Sequence, residues 1–144
     1  MTAGNSTELP KSGLLLIGMG PGQIGSMTIE ARDAAKSADF RRYEAYTALW
    51  PADELTKLEE DIGDIEMVMR PEVESPTELL DLAKNHLVAL LIVGDPLQAT
   101  THVDIQLQAL EAGINCMVFH GISITTLVTG AVGLSNYRFG RQAI

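Results

Sequence analysis

A chain of 144 residues with 46% hydrophobic content can bury one core and is too short for two ordinary ones, so a single domain is expected. Its 19 acidic residues against 10 basic ones give a net charge of -9, and Arg41-Arg42 is the only adjacent basic pair, which excludes the electrostatic footprint of a nucleic-acid binder. Apolar runs stop at about seven residues where ~20 are needed to cross a bilayer, so no membrane association is expected; the start "MTAGNSTELPKSG" has no apolar signal core, and the lone Cys116 in "INCMVF" fits a buried thiol in the reducing cytoplasm.

Residues 1–12 are polar with Gly, Asn, Ser and Pro and are expected to form a loose leader. The first strand is "LLLIGM" (14–19), followed by the glycine-rich "GMGPGQIGS" and a helix over "TIEARDAAKSA". A second strand, "FRRYEAY" (40–46), leads into the helix "PADELTKLEED", and a third, "IEMVM" (65–69), into the helix "SPTELLDLAKN". Ser75-Pro76-Thr77-Glu78 reads as a capping box there, with Ser75 as N-cap, Pro76 at the first helical position and Glu78 reaching back. The fourth strand is "LVALLIV" (87–93). The helix "HVDIQLQALEA" follows, with Thr101 and Asp104 as its N-terminal box and Gly113 as its stop. The fifth strand is "INCMVF" (114–119), and "SITTLVTGAVG" after it reads as a further helix. Strand-helix alternation with strands apolar on both faces implies an α/β fold: a three-layer, open, mainly parallel five-stranded sheet with helices on both faces.

Three segments carry candidate chemistry. Gly18, Gly20, Gly22 and Gly25 follow the first strand, where glycine admits either a ligand close to the backbone or merely a tight turn. The dinucleotide fingerprint fails, because Gln23 stands at its third glycine and Pro21 removes an N–H that would cradle a pyrophosphate, so a ligand without phosphates is the better match. In "GDPLQATTH" (94–102), Gly94 closes the fourth strand and Asp95 sits at its carboxyl end, the edge where open α/β sheets bind ligands. An anion there suits a cationic or amino-bearing ligand. "HGISIT" (120–125) brings a third loop to the same edge. Glu44, Tyr46 and Thr47 at the end of the second strand read equally as a capping edge or a pocket wall. His86, His102 and His120 lack the spacing of metal ligands, so no metal site is expected, and no G-x-S-x-G elbow follows a strand.

"GDPLQATTHVDIQLQALEAGI", "HGISI", "GLSNYRFGR" and "EAYT" at 44–47 together resemble the diphthine synthases, within the larger family of tetrapyrrole-methylase-like, S-adenosylmethionine-dependent methyltransferases. The resemblance runs from about Leu14 to Ile144. It implies two α/β domains with S-adenosylmethionine bound between them, a homodimer, and methylation of the modified histidine of elongation factor 2. Carried over by position, the donor-binding residues are Pro21, Asp95, Gln98, Ser123 and Ile124, with Gly94 offering backbone groups; Pro21 and Gln98 stand where apolar Leu and Val are usual. It also implies a methyl-donor-binding domain over 13–136, with 137–144 leading into a second domain that this chain does not include. A corrin or tetrapyrrole methylase and a non-catalytic ligand-binding module are the alternatives.

Overall fold

The computed structural model describes residues 8–45, 49–98 and 102–123. Strands β1 (Gly13–Gly18) and β4 (Leu87–Ile92) are buried along their whole length. A strand covered on both faces needs no alternation of apolar and polar residues, which accounts for the unbroken runs in the sequence. The two pair in parallel at the heart of the sheet, from Gly13 beside Leu87 to Gly18 beside Ile92. Strand β2 (Phe40–Glu44) joins the other side of β4, β3 (Glu66–Val68) joins β2, and β5 (Cys116–Phe119) joins β1, giving the order β3-β2-β4-β1-β5 with every pairing parallel.

Helices α1 (Ile29–Ser37) and α2 (Ala52–Ile62) cover one face, where Ala31, Ala34, Ala35, Leu58 and Ile62 meet Leu15, Ile17 and Leu91. The small alanine face lets α1 lie close on the sheet, and Thr28 caps it by accepting the Ala31 N–H at 3.0 Å. Helices α3 (Arg70–Glu74), α4 (Thr77–Asn85) and α5 (His102–Glu111) take the other face, with Val73, Leu79, Ala83, Ile105 and Ala109 against Leu14, Leu16, Val88 and Leu90. Gly113, at φ 74°, ends α5 in a Schellman turn: its N–H bonds Leu110 O and the Ile114 N–H bonds Ala109 O at 2.9 Å.

The capping box read at Ser75 is not formed. Ser75 instead closes α3, donating its N–H to Pro71 O at 3.0 Å, and Pro76 is the N-cap of α4 with no side-chain bond. The reason lies in "RPEVE", whose Pro71 starts an extra turn that captures Ser75; the reaching-back carboxylate is Glu72, which accepts the Met69 N–H at 3.1 Å. Residues 8–12 are not all loose, because Leu9 packs against the α1–α2 side of the core. Cys116 is half-buried. Thr101 and, beyond Ser123, the helix read over 123–133, like the domain limit at 136 and the segment 137–144, lie outside the described residues.

The connections position the site. The chain leaves β1 through α1 toward β2, on the far side of β4, and leaves β4 through α5 toward β5, on the far side of β1. Neighbouring strands thus send their helices to opposite faces. This opens a crevice between the carboxyl ends of β1 and β4, the switch point at which open α/β sheets take ligands.

Candidate functional site

Three loops meet at that crevice. Gly20, after β1, and Gly94, after β4, exchange both backbone hydrogen bonds, at 3.2 and 3.0 Å, as an antiparallel bridge on an otherwise parallel sheet. Gly94 takes φ 80° to do so, a conformation that side chains disfavour. The loop after β5 presses on both: a Cβ on Gly121 would stand 2.4 Å from Gly94 O and 2.9 Å from Gly18 C. Only a residue without a side chain lets the third loop seat there.

Asp95 ties the second loop to the third. Its Oδ2 accepts the Leu97 N–H at 3.1 Å, and its Oδ1 accepts the Gly121 N–H at 3.0 Å and lies 2.8 Å from His120 Nδ1. A carboxylate is acceptor only, so Nδ1 carries the hydrogen. Three of its roughly four lone-pair sites are occupied within the protein, leaving about one for a ligand. Its side chain is 12% exposed, whereas that of His120 is 69% exposed.

The glycine loop is held from behind by β2 and α2. Trp50 donates its indole N–H to Gly20 O at 3.2 Å and its backbone N–H to the Tyr43 hydroxyl at 2.9 Å. Burial raises the Tyr43 hydroxyl's pKa above the phenolic value, and Glu44 adds to the shift. Glu54 accepts the Ile24 N–H at 3.0 Å, and the hydrogen bond from Lys57, followed by that from Ile24, holds its carboxyl below the usual range. On the opposite face of β2, Glu44 is buried and hydrogen-bonded to the buried His102 at the start of α5. The last two residues of β2 therefore support two different loops: Tyr43 the first through Trp50, and Glu44 the end of the second through His102. Of the two readings open for Glu44, its surroundings are those of a support behind the loops rather than of a cavity wall. Tyr46 and Thr47 lie outside the described residues.

A cavity of about 540 Å³ opens between the second and third loops, lined by Asp95, Leu97, Gln98, His120, Gly121, Ile122 and Ser123. That volume lies in the range of small-molecule sites, ~300–1,000 Å³. Of the residues singled out from the sequence, Asp95, Gln98 and Ser123 line it together. Gly94 stands at its back in the bridge to Gly20. Pro21 is exposed on the glycine loop at the same sheet edge but does not line the cavity, and Ile124 lies outside the described residues. His120, Gly121, Trp50 and Glu54 were not singled out as site residues; the signal for the first two was their adjacency to "ISI" at the end of β5.

A second cavity, about 470 Å³, lies at the opposite end of the sheet between Asp39–Arg42 and Asp64–Glu66. There Arg41 is taken up by the carbonyls of Ala35, Ala38 and Asp64, and Arg42 lies over the Phe40 ring, so both arginines serve the packing of the amino end. Among the described residues no three His, Cys, Asp or Glu side chains converge as metal ligands, and no helix is long and apolar enough to cross a membrane.

An open, doubly wound parallel sheet with three glycine-bearing loops at one edge and a cavity between two of them defines the class: an α/β domain of the kind that takes small ligands at that edge. Residues 13–143 match the tetrapyrrole (corrin/porphyrin) methylases, and the chain belongs to that family. Within it the chain is similar to diphthine synthases. It is 39% identical over 132 residues to that of Haloquadratum walsbyi, covering 90% of this chain and 50% of the relative. With that of Methanosarcina mazei it shares 37% over 131 residues, covering 90% and 49%. A crystal structure of diphthine synthase superposes with a TM-score of 0.81 at 34% identity, covering 88% of this chain and 51% of that one. The chain spans about half the length of the curated relatives it matches.

Proposed function

We propose that the chain is the methyl-donor-binding part of a diphthine synthase: it binds S-adenosylmethionine at the carboxyl edge of β1, β4 and β5 and serves methylation of the modified histidine of elongation factor 2. The observation that carries this reading is the cavity between the loops after β4 and β5, edged by the carboxylate of Asp95, where Gly121 seats against Gly94 and Gly18 and the loop after β1 is bridged to Gly94. The residues present fit the donor. It is a cation at sulfur with a bulky adenosyl group, and the cavity offers one negative charge, the polar Gln98 and Ser123, and backbone that no Cβ obstructs.

When bound, the donor supplies an electrophilic methyl group. This chain's own residues bind and orient it. Asp95 offers its remaining acceptor site and its charge, and Gly94, locked to Gly20, holds the backbone behind it in place. Alignment and a neutral acceptor amine matter more for such a displacement than a strong acid or base. In this reading the enzyme works in the cytoplasm as a homodimer, with elongation factor 2 as its macromolecular partner. The net charge of -9 supports a protein partner rather than nucleic acid.

Two measurements test the reading. Calorimetry of the chain with S-adenosylmethionine should show saturable binding, which Asp95→Asn weakens by about 10-fold or more. A methylation assay should show transfer to elongation factor 2 bearing the carboxy-aminopropyl histidine, with the chain extended by the half that its relatives possess. Binding without transfer to that substrate, but with transfer to a corrinoid, would replace the substrate assignment and keep the donor site.

A further inference from the structure

The electrostatics of the cavity depend on one exposed side chain. Among the described residues that line it, Asp95 and His120 are the only titratable groups; Leu97, Gln98, Gly121, Ile122 and Ser123 carry no charge. His120 Nδ1 lies 2.8 Å from Asp95 Oδ1 and the imidazole is 69% exposed, so water reaches its ring. The carboxylate cannot turn away from it, since the Gly121 and Leu97 N–H groups hold both of its oxygens.

We propose that His120 is a specificity-determining residue of the donor site, acting through Asp95 to set how strongly the cavity prefers a cationic sulfonium over a neutral thioether. The inference rests on the donor-site reading above. With a neutral imidazole, Nδ1–H donates to Asp95 and the pair carries one negative charge. A proton taken up at Nε2 makes the pair net neutral without moving a contact. Before transfer the ligand's sulfur is positive; after transfer it is an uncharged thioether. A cavity with a net negative charge therefore favours the substrate over the product, and a cavity with a neutral pair does not. Neutral His120 favours product release, and protonated His120 erases that advantage.

The test measures dissociation constants of S-adenosylmethionine and S-adenosylhomocysteine by calorimetry on the full chain at about pH 8 and pH 5.5, an interval over which imidazoles titrate. Wild type, His120→Gln and His120→Arg are compared. Gln keeps a donor toward Asp95 and does not titrate, while Arg fixes the positive charge; the ligands' own groups titrate alike in all three. The ratio of the two constants should shift toward the product by about two- to fivefold on acidification in wild type, the span of a partly exposed ion pair. His120→Gln should hold the wild-type ratio of the higher pH throughout, and His120→Arg that of the lower. A constant ratio in wild type, or an unchanged pH dependence in His120→Gln, overturns the inference and leaves the donor site standing. Failure of both ligands to bind wild type overturns the donor site itself, and this inference with it.

Discussion

Replacing Asp95 by Asn changes almost nothing in shape and removes one of the two acceptor oxygens from a junction of three hydrogen bonds. Oδ1 serves Gly121 and His120, and Oδ2 serves Leu97, all at 2.8–3.1 Å. An amide has a single oxygen, so one of these sets must face an NH2 donor. Keeping the oxygen on Gly121 and His120 preserves two contacts and sets the Leu97 N–H against a donor. At a side chain 12% exposed, losing a bond to a charged group costs about 1.5–3 kcal/mol. Neutralising the contact with exposed His120 adds less than about 1 kcal/mol. We expect Asp95→Asn to destabilise the domain by about 2–3 kcal/mol, a fall in melting temperature of roughly 5–10 °C. Urea unfolding followed by circular dichroism measures the first, and hydrogen exchange at the Leu97 and Gly121 amides locates the damage. An unchanged midpoint with both amides as protected as in wild type would refute the role of this carboxylate as the joint between two loops.

Gly121→Ala should cost about 1–3 kcal/mol, because its Cβ would sit 2.4 Å from Gly94 O and both neighbouring loops meet it with backbone that cannot swing aside. Gly25→Ala, with nothing within 4 Å, is the matched control and should stay within about 0.5 kcal/mol; equal melting of the two variants would contradict the close approach. Burial pushes the Cys116 thiol up to about 11, so native protein should react slowly with iodoacetamide near pH 8 and quickly once unfolded in urea. Because the folded value is raised, the neutral thiol stabilises the fold fully below the unfolded value of 9.0, and that contribution is lost as pH rises through about 11. Rapid labelling of the native chain would place the thiol in solvent instead.

Hydrophobic runs and helical spacing were enough to read the five strands, their parallel arrangement and helices α1, α2, α4 and α5, though not the short α3, because burial on both faces leaves a period-free apolar run that few other structures produce. "LLLIGM" and "LVALLIV" are the clearest cases, and the edge strands β3 and β5, shorter and half-exposed, were read two residues too long. That three loops meet at one edge was equally legible, since parallel strands place Gly18–Gly25, Gly94–Gln98 and His120–Ser123 at their common carboxyl ends whatever their side chains are. Local sequence misjudged Ser75, where a proline-started turn upstream took the residue first. Only the tertiary structure could show that Asp95, which reads as an anion free for a ligand, is largely occupied by Leu97, Gly121 and His120, or that Glu44 meets His102 across 58 positions of chain. Periodicity records which side of an element faces the core, and it is blind to which polar groups from distant segments find each other there. Those pairings are set by distance and direction between loops, and these exist only once the sheet has formed.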